Sequence, residues 1–190
     1  VEVEAYRARH LVADIRARSA GLLSAATAVF LPSGDGARDL ALDGPRVLAL
    51  ETFVRAGGTL VIVAGKGSSQ GDAFWLDSPL EALLPVIARG ATREAGVAEF
   101  SFLGALPAHG SARLAVADAM LRDEARVLGG TKEQPLAVER DLGRGHVVFL
   151  GFDPDRAEVR GASGLARFLD HLVPATSRSY PPHVRHDRLA

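Results

Sequence analysis

The chain of 190 residues contains no cysteine. That absence removes disulfides, thiolate nucleophiles and thiolate metal sites together. Lysine is scarce: of 22 basic residues only Lys66 and Lys132 are lysines, and the rest are arginine. Alongside abundant alanine and glycine, this is the bias of a GC-rich bacterial genome. Acids and bases nearly balance, leaving a net charge of −1. With neither a basic face nor interleaved basic and aromatic residues, the chain lacks the footprint of a nucleic-acid binder. Long apolar runs are missing too. Thr59 to Ala64, for example, is strand-sized, far short of the roughly 18 residues of a membrane span. No direct membrane insertion by this segment is expected.

The apolar content of 47% suits one globular domain with a sizeable core. Residues 1–174 are expected to form it, and residues 175–190, rich in Pro, Arg and His, to form a tail or linker. Val1 to Tyr6 alternates apolar and acidic residues as a half-exposed strand does. The chain therefore opens inside an element and is expected to be a piece of a longer protein. Arg7 to Leu23 reads as a helix, with Leu11, Val12, Ile15, Leu22 and Leu23 near one face. Ala28 to Leu31 is a short buried strand, closed by the loop Pro32 to Gly36. Pro45 is placed to open a helix whose last turn holds Arg55 and whose cap is Gly57-Gly58. Thr59 to Ala64 is apolar throughout, the pattern of a central parallel strand covered on both faces.

Gly65 to Asp72 follows as a loop at the carboxyl end of that strand, where open α/β sheets usually bind their ligands. Next comes a helix start at Asp77 to Glu81, capped by Asp77 or Ser78 and ending near Pro85. Beyond Gly90 the texture changes. Val97 to Leu103, Arg113 to Val116, Arg126 to Leu128 and Pro135 to Arg140 read as short strands, expected to extend the sheet in antiparallel fashion. Val147 to Phe152 is the last core strand and Gly164 to Leu172 the last helix.

Several tempting motifs fail on spacing. Gly65-Lys66-Gly67 is no phosphate loop: six residues separate Gly58 from Gly65, where the motif needs four. Gly67 also takes the place of the required Ser or Thr. Gly34-Asp35-Gly36 lacks the further acids of a metal loop. The histidines at 10, 109, 146, 171, 183 and 186 form no metal-ligand spacing, so neither metal nor cofactor is expected. Trp75 with Phe74 is either a lid over the crevice or, more commonly for such a pair, packing.

Two distant segments belong together: Leu50 to Gly65, a helix stopped by two glycines and followed at once by a strand, and Val138 to Pro154, a strand, a Gly-Arg-Gly turn and a strand ending in Phe152-Asp153-Pro154. With Pro79 to Pro85 they resemble the class I glutamine amidotransferase-like fold in its non-catalytic branch, as in bacterial membrane-anchored proteins with von Willebrand type A modules. The resemblance covers about Leu48 to Val173. Family members usually carry a further strand and helix before the segment matching Val1. The fold it implies is α/β: a flavodoxin-like, mostly parallel sheet flanked by helices, with antiparallel strands added in the C-terminal half.

In active relatives a strand like Thr59 to Ala64 leads into a tight turn that carries the nucleophilic cysteine, and a His-Pro-Glu-like stretch after a late strand supplies base and acid. Here Gly65, Lys66, Gly67 and Ser68 stand at the nucleophile turn, Asp153 replaces the base, and Asp155 replaces the orienting acid. An aspartate is a poor base for a hydroxyl and the chain has no cysteine, so no glutaminase activity is expected. Two readings of Asp153 and Asp155 stay open. Asp-Pro after a strand serves a turn, or these acids and Lys66 gather over the sheet as a polar ligand site.

The function expected is a non-catalytic interaction or ligand-binding module of a larger bacterial envelope protein, extracytoplasmic or membrane-associated through its parent, with a cytoplasmic location left open. Its partner would be another protein or other domains of the same chain, and self-association is allowed. The alternatives are an accessory, oligomerising domain of a carbohydrate-active enzyme and a hydrolase of unrecognised chemistry.

Overall fold

Pro45, with its fixed φ and missing N–H, sits at the start of helix α1 (Gly44–Arg55). This is the computed structural model of the chain, and it describes residues 26–32, 44–64, 75, 78–107 and 113–173. Val1 to Tyr6, Arg7 to Leu23 and the 175–190 tail lie outside those residues. Helix α1 buries Val47, Leu50, Phe53 and Val54. It stops as the glycine pair predicts. Gly57, at φ 109°, donates to the Val54 carbonyl, and Gly58 donates to that of Phe53. That pair of bonds satisfies carbonyls the helix itself leaves open.

The main sheet has five strands in the order β1-β2-β7-β6-β5. They are β1 (Ala28–Pro32), β2 (Thr59–Val63), β5 (Arg126–Gly130), β6 (Pro135–Leu142) and β7 (Gly145–Leu150). β2 lies between β1 and β7 and pairs with both in parallel, and all five of its residues are buried. The sequence expectation of a central Thr59 strand with Val147 to Phe152 beside it holds. The sheet is mixed rather than mostly parallel, because β6 pairs antiparallel with both β7 and β5. The cause is the Gly143-Arg144 turn: so short a connection between strands allows only an antiparallel hairpin.

Two further expectations need correction. Val97–Leu103 is a 3-10 helix, not a strand. Its buried residues are Phe100 and Leu103, spaced for the three-residue turn of that helix. The Glu99 carboxylate accepts from the Gly96 N–H at 2.8 Å, fixing its first turn. The Arg113 segment, in turn, belongs to β4 (Leu114–Leu121), which does not join the main sheet. It pairs antiparallel with β3 (Val86–Ala95) in a separate two-stranded ribbon.

Each face of the main sheet has its own core. Leu60, Ile62, Val147 and Phe149 face α1, Trp75, the 3-10 helix Pro79–Leu83 and one end of the ribbon, at Val86 and Ala119. Val61, Val63, Val148 and Leu150 face Phe100, Leu103 and the other ribbon end, at Leu114 and Val116. Helices α2 (Ala157–Arg160) and α3 (Leu165–Leu172) complete that second layer. Trp75 is core: it is 1% exposed and meets the Phe149 ring edge-on at 6.1 Å. Among the described residues no helix is long and apolar enough to cross a membrane.

Candidate functional site

Because β2 and β7 run parallel, with Val63 opposite Leu150, their carboxyl ends open on the same edge of the sheet. Ala64 continues the pairing, donating to the Leu150 carbonyl at 2.7 Å. Gly65, Lys66, Gly67 and Ser68, the candidates that follow it, lie outside the described residues. Asp153 and Asp155 are described, a few residues past the end of β7 on that edge.

The carboxyl edge is not open along its whole length. The Ala117 N–H, on β4, donates to the Gly151 carbonyl, and the Gly151 N–H donates to that of Leu136, both at 2.7 Å. The ribbon thus crosses the end of β7. Phe152 then turns inward, 1% exposed, with its ring edge-on to Phe100 at 5.4 Å. The chain is thereby anchored immediately before Asp153.

Asp153 engages one carboxylate oxygen locally. Oδ1 accepts from the Asp155 N–H at 2.9 Å, and the Asp153 carbonyl accepts from the Arg156 N–H. This is the turn that brings the chain into α2, as an Asp-Pro pair after a strand serves it. The Asp155 side chain is exposed. The two acids share one turn. The histidine nearest in sequence, His146, lies at the opposite end of β7, where its Nδ1 is 2.8 Å from Asp141 Oδ1. Among the described residues no cluster of His, Asp and Glu could hold a metal ion.

A second polar constellation went unnoticed in the sequence. Arg122, after β4, donates from Nε to the Val86 carbonyl and from Nη2 to that of Glu81. Arg140, on β6, donates from Nη2 to the carbonyls of Ala82 and Leu83. Two guanidiniums thus converge on consecutive carbonyls of the 3-10 helix Pro79–Leu83. Burial, followed by the charge of Arg122, holds the Arg140 guanidinium below its ordinary value, and Glu124 partly offsets the shift. Glu124 adopts a left-handed φ of 64°, uncommon for a residue with a side chain. A signal was present: strand alternation puts Arg140 on the same face as buried Val138.

No protein-family model matches the sequence, and no curated protein matches it. Similar solved structures exist. One is the cytoplasmic protein STM1381 of Salmonella typhimurium LT2, at TM-score 0.61 and 15% identity, covering 85% of this chain and 78% of its own. A second, the cytoplasmic protein STM3548 of Salmonella typhimurium, gives TM-score 0.51 and 18% identity over 72% of this chain and 64% of its own. A β-galactosidase of Rahnella sp. R3 gives 0.45 and 18% identity over 78% of this chain but only 23% of that protein, too distant for inference. At such identities the two Salmonella proteins share the fold alone.

Proposed function

We propose that this chain is a non-catalytic interaction or ligand-binding module on a class I amidotransferase-like, flavodoxin-like sheet, carried by a larger bacterial envelope protein. The observation that carries the reading is the use of Asp153. At the position of the family's base stands a carboxylate already accepting the Asp155 N–H. A carboxylate oriented by its own turn is held toward the backbone rather than toward a nucleophile. The sequence offers no thiol to activate. The ribbon crossing at Gly151 supports the same reading, since it covers part of the edge where substrates of such sheets bind.

The test joins two measurements on the purified chain and its parent protein. Ammonia release from glutamine is expected to stay at background. Crosslinking of the parent protein in cells is expected to join this domain to another protein or to other parts of the same chain. Turnover that disappears with Asp153→Asn would replace the module by a hydrolase.

A further inference from the structure

Two like charges on one short helix are costly to bring together, the more so when partly desolvated. Arg122 and Arg140 are nonetheless held side by side, on carbonyls of Glu81, Ala82, Leu83 and Val86. Closing the end of a 3-10 helix needs hydrogen-bond donors but no net charge, and neutral side chains would serve at lower cost. The carbonyls also leave much of each guanidinium unspent. Nη1 of Arg122, and Nε and Nη1 of Arg140, donate to no described residue. Glu124 supplies one opposing charge, so the cluster of these three residues stays net positive.

We infer that Arg122 and Arg140 form a binding site for a phosphate-class oxyanion. The main-chain carbonyls hold both guanidiniums at one helix end, so less side-chain freedom remains to be lost on binding, and the remaining N–H groups are donors of the kind a tetrahedral oxyanion accepts. The site sits at the far end of β7 from Asp153: Arg140 pairs in register with Val147, near the strand's start. It is therefore independent of the proposed module function, and either reading can fail alone. A phosphate monoester and free phosphate share this chemistry. Glu124 is expected to weaken binding, because its carboxylate occupies the same field as the anion.

The test is a titration of the full chain, labelled at arginine, with inorganic phosphate and with phenyl phosphate at fixed ionic strength. Arginine Nε–Hε resonances are followed by NMR. Saturable shifts confined to Arg122 and Arg140 are expected. Comparable affinity for phenyl phosphate identifies a monoester site, and binding of inorganic phosphate alone identifies a free-phosphate site. Paired Arg122→Lys and Arg140→Lys changes, which keep charge but lose the forks, should weaken binding about tenfold, while Glu124→Gln should tighten it severalfold. If the paired variant fails to fold, the shifts in the unsubstituted chain and in Glu124→Gln still decide. Shifts of equal size at Arg89, Arg113 and Arg144, or no saturation, would overturn the assignment.

Discussion

Gly145 lies against Gly58 so closely that a Cβ built on it would stand 2.1 Å from the Gly58 carbonyl oxygen and 2.3 Å from that of Val54. The hairpin joining β6 to β7 is seated on the end of α1. The Arg144 N–H donates to the Arg55 carbonyl and the His146 N–H to that of Gly58, each at 3.2 Å. The two glycine-rich segments that stand out in the sequence are thus the two halves of one contact.

Gly145→Ala is expected to be among the most damaging single-methyl changes in this chain. The obstacle is backbone on both sides, so relief requires moving α1 or β7. A loss of about 3 kcal/mol, the upper end of overpacking costs, should appear in urea unfolding. Gly58→Ala makes the comparison: the atoms nearest its Cβ all belong to the Phe53 ring, a side chain rather than backbone, so the loss should be smaller. Equal losses would show that the seat is looser than described.

Asp153→Asn keeps an oxygen for the Asp155 N–H, whereas Asp153→Ala does not. If the carboxylate serves the turn, Asn should be nearly neutral and Ala should cost about 1 kcal/mol, the typical worth of one such bond. Thermal unfolding of both variants checks the order.

Glu99 ties three elements together. Its carboxylate accepts from the Gly96 N–H at 2.8 Å and from Arg93 at 2.7 Å, and Arg93 reaches on to the Gln134 carbonyl at 3.3 Å. Glu99→Gln should keep the cap and weaken the ion pair, costing under about 1 kcal/mol, while Glu99→Ala loses both, at about 2 kcal/mol. Equal effects in denaturant titrations would mean that the cap contributes nothing.

Trp75 is the sole tryptophan and is fully buried against Phe149. Its emission should be blue-shifted in the native chain and move to the red in a single transition on unfolding. Phe149→Leu removes the edge-on ring and should lower stability by about 1–2 kcal/mol, with the native emission still blue-shifted. A red-shifted native spectrum would place Trp75 outside the core.

Most of the main sheet was legible because its signals are local and agree with one another. Pro45 opens α1, Gly57-Gly58 closes it, and unbroken apolar runs mark β2 and β7. The ribbon was not. β3 buries only its two ends, Val86 and Ala95, so it carries neither clean alternation nor an apolar run, and its residues do not read as one strand. Val97 to Leu103 looked like a strand because short apolar and polar residues alternate there. What decides for the helix is tertiary: Phe100 and Leu103 must both reach the core, and Glu99 holds the entry. At the candidate site, the turn role of Asp153 was readable from Asp-Pro chemistry. The convergence of Arg122 and Arg140 required two elements whose meeting no local pattern announces.

The pairing of β2 with β7, Thr59 opposite His146, also sets the order in which this chain can fold. During synthesis β2 emerges with β1 as its available partner, and the strand that covers its other edge is made only after the ribbon and β6. Closing so long a loop is entropically unfavourable before its contacts form, and parallel pairing at such separation is slow. The hairpin β6–β7, by contrast, is local and can form on its own schedule. We expect it to form first and then to dock on the end of α1, so that the Gly145 seat is the late step. A growing chain stopped short of β7 would expose the unpaired edge and apolar side chains of β2, making that interval the one in which a nascent chain most needs a chaperone.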